Sequence, residues 1–276
     1  MKAALFLILV TLMWGTTFPL QKFVLADFSP FVFNAMRFWL AAFFSLFFTK
    51  RHVFKEGILL GLVLGAAYLT QTWGITLTTA SKSGFLTSLY IVIVPFFAFL
   101  IEKEKVNGLQ KLAFPIAVVG SYLLSGGIRG LNAGDLLNIL CGVFFALHMI
   151  MITRYSKKYD EMSLITIQFI LAALINTIAG IGSDWTPSVM IMGSAVYMAL
   201  FPALIAVVLQ LKYQKKLGNN ITVLIFVGEP VFSTIFAIAF LKESLSLMQS
   251  MGAGFMVVAL TLAGLEIRRS RKKAYT

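Results

Sequence analysis

The chain has one cysteine, Cys141, among 276 residues, which excludes an internal disulfide and leaves no pair of thiols to hold a metal. Charge is scarce too. Only 12% of the residues are charged, and 11 are acidic. A soluble domain carries about 25%, so this composition excludes an ordinary water-exposed surface. What remains is apolar: 59% hydrophobic residues, 26 of them Phe, and a mean hydropathy of +0.89. Crossing a hydrocarbon core takes about 20 mostly apolar residues, and with short turns this length holds about ten crossings.

The basic residues sit in short turns. With the amino terminus taken as cytoplasmic, the inner side holds Lys2, then Lys50, Arg51 and Lys55, then Lys103, Lys105 and Lys111. It also holds Arg154, Lys157 and Lys158, then Lys212, Lys215 and Lys216, and a tail of Arg268, Arg269, Arg271, Lys272 and Lys273. These are 18 of the 23; Lys22, Lys82, Arg129 and Lys242 fall outside, and Arg37 lies within a segment. Cations favour the cytoplasmic side, so both termini are expected there, in the cytoplasmic (inner) membrane. The net charge of +12 therefore reads as topology, not as a nucleic-acid surface. A basic tail docking an acidic partner is the blander alternative for that segment alone. The opening run Ala3 to Val10 looks like a secretory leader, but no convincing small-residue cleavage site follows, and Trp14 to Gln21 continues the pattern. It is read as the first helix.

Apolar runs between charged or Pro/Gly turns predict ten helices, near 3–24, 30–49, 57–79, 83–101, 109–126, 134–154, 162–182, 189–211, 220–241 and 248–267. An internal repeat is expected as well. Arg37 to Ala42 lines up with Gln168 to Ala173 at an offset of 131, while Gln71, Glu104 and Gln110 line up with Gln210, Glu243 and Gln249 at 139. A longer turn around Ser183 to Pro187 accounts for the change. Five crossings per copy reverse the orientation of the second copy. The expected fold is therefore an all-α membrane protein, ten transmembrane helices as two inverted five-helix repeats (1–128 and 129–276) around a central cavity, as in secondary transporters. Gly61 with Gly65 and Ser121 with Ser125 are expected at tight helix contacts.

Glu229 lies about ten residues into the ninth segment, some 15 Å deep at about 1.5 Å per residue. A carboxylate there must be neutral, paired or facing water. The adjacent Pro230 frees a backbone carbonyl, which only a cavity or a neighbouring helix can satisfy. Thr222, Phe226, Glu229 and Ser233 share one helix face. Glu229 reads as a proton- or cation-binding carboxylate, or as a structural acid bonded to a neighbour. Arg37 cannot lose its proton, so it must pair or reach water. It reads as a bidentate ligand for a substrate carboxylate, or as a countercharge to Glu229 or a helix end. Trp14, Thr17 and Gln21, with Tyr68, Gln71, Ser83, Thr87 and Tyr90, gather at a similar depth and suit an apolar pocket with a few placed polar groups. His148 aligns with Thr17, lies deeper toward the cytoplasm than Glu229, and reads either as a proton relay or as a packed polar residue. Gln168 and Asn176 are expected to join helices.

Trp14-Gly15-Thr16-Thr17-Phe18-Pro19, Arg37, Pro95 followed by Glu102 to Lys105, and Glu229-Pro230 followed by Lys242-Glu243-Ser244 resemble the EamA-type transporters of the drug/metabolite transporter superfamily, in order along nearly the whole chain. The resemblance implies a ten-helix carrier whose cavity is lined by the first, third, fourth, sixth, eighth and ninth helices, and an exporter of amino acids or other small metabolites. In one departure the sixth helix carries Phe145-Ala146 where the first has Trp14-Gly15, so the two copies are not equivalent.

The expected substrate site is Trp14, Thr17, Arg37, Tyr68, Gln71, Tyr90, His148 and Glu229, with Glu229 and His148 handling protons. A zwitterion suits it, its ammonium at Glu229, its carboxylate at Arg37 or a broken helix end. A carrier for hydrophobic organic cations is the alternative. An intramembrane enzyme would need a clustered acid pair or triad, and a channel a ring of like charges; neither pattern stands out. No cofactor, metal or nucleic acid is implied. The expected partners are a small-molecule substrate, the bilayer and protons, with the protein as a monomer or a homodimer.

Overall fold

The computed structural model describes residues 2–127, 130–242 and 244–275, and these form helices and turns without a strand. Helix α1 runs in two pieces, Lys2–Gly15 and Thr17–Val24, followed by α2 (Pro30–Leu46) and α3 (Phe54–Leu77). Helix α4 is again split, Ala80–Ser88 and Tyr90–Glu102, before α5 (Gln110–Leu124), α6 (Ala133–Ser156) and α7 (Glu161–Ala179). Helix α8 covers Val189–Leu217, α9 is split into Asn219–Phe226 and Gly228–Leu241, and α10 is Leu247–Tyr275. Eight of these ten are long and apolar enough to cross a membrane; α2 and α5 are shorter apolar helices. Arg129, the expected boundary at 128 and 129, and Glu243 of the repeat and family motifs lie outside the described residues.

The ten expected segments are helical, and the differences are at their ends and at breaks inside α1, α4, α8 and α9. Helix α8 runs on to Leu217 and α10 to Tyr275 because Lys and Arg are good helix formers once the chain has left the apolar layer. Helix α7 stops at Ala179, capped by Gly180, three residues before the expected end. Starts follow local chemistry. Ser29 accepts from the Val32 N–H with Pro30 in the first turn of α2, and Asn132 and Asp135 exchange side-chain to backbone bonds of 2.9 and 2.7 Å to open α6.

The breaks also have causes. Pro230 deprives the Phe226 carbonyl of its helical donor, and the axis of α9 breaks at Val227. Pro202 does the same within α8, where Ala199–Ile205 widens into a π turn. In α1 the break at Thr16 lies upstream of Pro19, and Thr16 and Thr17 donate to the Met13 and Trp14 carbonyls at 2.7 and 2.8 Å. Both α4 and α9 end on a lysine in the left-handed region, Lys103 and Lys242, each at φ 56°.

Each half of the chain packs mainly on the other. Helix α1 lies against α8 and α9, α6 against α3 and α4, α2 against α7, and α5 against α10. Close approach depends on glycine. A Cβ on Gly61 would stand 2.8 Å from the Gln168 Cα, and one on Gly252 2.3 Å from the Leu124 N, so these positions cannot carry a side chain without moving backbone. Gly61 and Gly65 thus seat α3 on α7, whereas Ser121 reaches across to Ser88 of α4 at 2.6 Å and Ser125 bonds within its own helix. Large apolar side chains such as Phe47, Phe54, Ile178 and Phe240 stay exposed on the outside, where water would penalise them and lipid does not.

Polar contacts tie the turns together at each end. At one, Lys157 pairs with Glu102, Lys215 pairs with Glu161, and the Glu104 carboxylate caps α9 by accepting from the Asn219 and Asn220 N–H groups. Tyr159 donates to Glu56 at the same end. At the other, Asp135 receives Lys82 and Thr78.

Candidate functional site

Seven of the eight expected substrate residues, Trp14, Thr17, Tyr68, Gln71, Tyr90, His148 and Glu229, line one internal chamber of about 50 Å³. Leu64, Thr87, Phe145, Met149, Val207, Gln210 and Phe226 complete its wall. A neighbouring cavity of about 110 Å³ shares Thr87, Tyr90 and Glu229 with the chamber and extends past Ser233 and Thr234 towards Lys22, Ser125, Ser244 and Gln249. Glu229 therefore stands between two spaces, immediately after the break in α9. Tyr90, just after the break in α4, donates to its Oε2 at 3.3 Å. On the predicted stripe, Phe226 and Glu229 face the chamber and Ser233 the neighbouring cavity, while Thr222 bonds back to the Gly218 carbonyl.

The other side chains are held by the helices around them. The Trp14 indole donates at 2.9 Å to the carbonyl of Pro202, which lies within the π turn of α8, and its ring meets Phe226 edge-on at 4.9 Å. Tyr68 sits edge-on to Phe145 at 5.3 Å. His148 Nε2 lies 3.0 Å from Gln168 Oε1, which joins α6 to α7, and Asn34 Nδ2 donates to Asn176 Oδ1 at 3.3 Å, which joins α2 to α7. Gln210 donates to Gln214, which bonds Thr153 and Asn219, so polar contacts run from the chamber to the capped start of α9. Histidine and carboxylate thus share one chamber, although depth counted along the helices separates them.

Arg37 is the eighth residue, and it lies one layer behind the wall. Its guanidinium carbon is 4.5 Å from the Tyr68 ring centroid and 4.8 Å from that of Phe38, and the residue is 0% exposed. Direct pairing with Glu229 does not occur. Among the described residues the ion pairs are Lys82–Asp135, Lys157–Glu102 and Lys215–Glu161.

Sequence reasoning did not assign Leu64, Phe145, Met149, Val207 or Gln210 to the chamber, although a signal for three of them was present in the expected repeat. At the offset of 131, Trp14 corresponds to Phe145 and Thr17 to His148; at 139, Tyr68 corresponds to Val207, Gln71 to Gln210, Thr87 to Phe226 and Tyr90 to Glu229. Twelve of the fourteen lining residues fall into these six pairs.

A bundle of apolar helices enclosing a chamber with a few polar groups has the form of a multi-pass membrane transporter. The EamA-like transporter family matches the chain twice, over residues 1–126 and 132–265. The chain belongs to this family, part of the drug/metabolite transporter superfamily. A curated relative from Archaeoglobus fulgidus, described as an uncharacterized transporter, is 34% identical over 269 residues, covering 96% of this chain and 86% of its own. A solved crystal structure that is 18% identical covers 97% of this chain and 98% of its own with a TM-score of 0.78, a likeness of fold.

Proposed function

We propose that the protein is a secondary carrier that moves a small metabolite, an amino acid or a related zwitterion, outward across the cytoplasmic membrane by alternating access. One observation carries this reading: Glu229 faces two adjoining cavities among aromatic and amide side chains, a setting in which a cationic group can be received from either side. The substrate ammonium binds Glu229 and its side chain stacks on Trp14, Tyr68 or Tyr90. The carboxylate binds Arg37 or a broken helix end. Proton exchange at Glu229, aided by His148, drives export.

Two inverted repeats, 1–128 and 129–276, form the carrier, with both termini cytoplasmic. The double family match, the six offset-related pairs of lining residues and the packing of each half against the other support this arrangement. Clustering of the basic turns 102–104, 154–161 and 212–219 at one end of the bundle supports the orientation.

The test is flux of neutral amino acids into and out of proteoliposomes under an imposed pH gradient. Saturable flux that responds to the gradient in the wild type and not in Glu229→Gln is the expected result; coupling that survives in that variant sinks the mechanism. A second reading, efflux of hydrophobic organic cations, is favoured by the rings of Trp14, Tyr68, Phe145 and Phe226 around a single carboxylate. Competition between an aromatic cation and an amino acid in the same vesicles separates the two.

A further inference from the structure

We propose that Arg37 forms a buried site for a small monovalent anion, reached from the chamber past Tyr68. This deepens the carrier reading, on which its link to substrate rests. Arg37 is wholly buried inside the bundle, and its Nε, Nη1 and Nη2 make no hydrogen bond of ordinary geometry among the described residues; the Tyr68 hydroxyl is the polar group near enough to interact with it. Guanidinium cannot shed its proton, and an isolated charge in a low-dielectric interior costs several kcal/mol unless something of opposite sign meets it.

The described acids that make contacts are engaged elsewhere. Glu229 receives Tyr90; Asp135, Glu102 and Glu161 hold lysines; Glu104, Glu266, Asp160 and Asp184 accept from backbone N–H groups; and Glu56 receives Tyr159. Rings of Phe38 and Tyr68 lie beside the cation and supply cation–π contact. At most the Tyr68 hydroxyl serves one of its five N–H donors, whose preferred partners are the oxygens of a carboxylate or a halide. One turn away, Asn34 Oδ1 is also buried without a partner, a single acceptor against five N–H donors.

Tyr68 is the wall between this site and the chamber, since its ring touches Arg37 and it also lines the cavity that holds Glu229. A rotation of that one side chain opens the guanidinium to the chamber. The anion has two sources with the same chemistry, a carboxylate of the substrate or a halide from solution.

The experiment uses the purified full-length protein in detergent and reads its apparent melting temperature. Sodium chloride is compared with sodium gluconate at equal ionic strength, and a neutral amino acid with its carboxamide. A halide site predicts that chloride stabilises the wild type by about 2 °C or more over gluconate. A carboxylate site predicts that the amino acid stabilises, that its amide does not, and that chloride competes. In either case Arg37→Gln removes the response. Should Arg37→Gln not fold, Arg37→Lys keeps the charge without the fork and weakens the response about tenfold in concentration, and Tyr68→Ala shifts it to lower concentration. Equal responses in the wild type and Arg37→Lys, or none to any anion, overturn the site. That result leaves pH-coupled amino acid flux through Glu229 untouched, whereas loss of flux with an intact chloride response rejects the carrier reading alone.

Discussion

The two walls of the chamber differ in chemistry although they correspond residue by residue. From the first half come Trp14, Thr17, Tyr68, Gln71, Thr87 and Tyr90; from the second come Phe145, His148, Val207, Gln210, Phe226 and Glu229. One wall offers rings, hydroxyls and an amide, while the other holds the imidazole of His148 and the carboxylate of Glu229. The pair behind the walls reverses the pattern. Arg37 carries a permanent charge in the first half, and Gln168, its counterpart, is neutral and bonds His148. Residues related by the two offsets thus differ in polarity across the chamber, except at Gln71 and Gln210, which are alike.

Substitutions that remove a difference within a pair, or copy one member onto the other, test which differences matter. The largest effect is expected from Glu229→Gln, which removes the one carboxylate among the described residues of the chamber wall; initial flux falls at least about tenfold, measured in proteoliposomes. Flux within twofold of the wild type would mean that the asymmetry at Tyr90 and Glu229 is incidental. Arg37→Gln makes that pair identical. In gluconate the variant is expected to melt no lower than the wild type, because removing an unpaired buried charge relieves its desolvation cost, while in chloride the wild type regains the advantage.

His148→Thr copies Thr17 and breaks the contact with Gln168, with an expected loss of about 1 kcal/mol in thermal or denaturant unfolding. Trp14→Phe copies Phe145 and removes the bond to the Pro202 carbonyl; about 1 kcal/mol or less is expected, with a modest change in apparent substrate affinity. The smallest effect belongs outside the chamber. Lys157→Ala breaks the ion pair of this solvent-facing lysine with Glu102 and should change stability by less than about 1 kcal/mol, an effect that disappears in high salt.

Much of this frame was readable in residue order. Runs of apolar side chains bounded by lysines and glycines marked the ten helices, because in lipid the backbone has few alternatives to helix. Glu229, Tyr90 and Tyr68 were readable as cavity-lining residues because polar groups at mid-depth need a reason to be there. The position of Arg37 behind Tyr68 was not, since helix rotation decides whether a side chain at a given depth faces a cavity or a neighbouring ring. Proximity of His148 to Glu229 was missed for a related reason: depth counted along straight helices ignores the breaks at Thr16, Leu89 and Val227. Gln210 and Phe145 were visible only as repeat partners of Gln71 and Trp14.

The wide turn at Ala199–Ile205 also has a bearing on chain length. It accommodates one residue more than a regular helix would, and every side chain after it is turned by about 100° relative to an uninterrupted helix. Deleting one residue there would let α8 regularise, swing Val207 and Gln210 out of the chamber, and take away the carbonyl that anchors Trp14. Insertions and deletions in this stretch should therefore be tolerated far less than in the turn 180–188, where the chain can absorb them without rotating anything that faces the substrate.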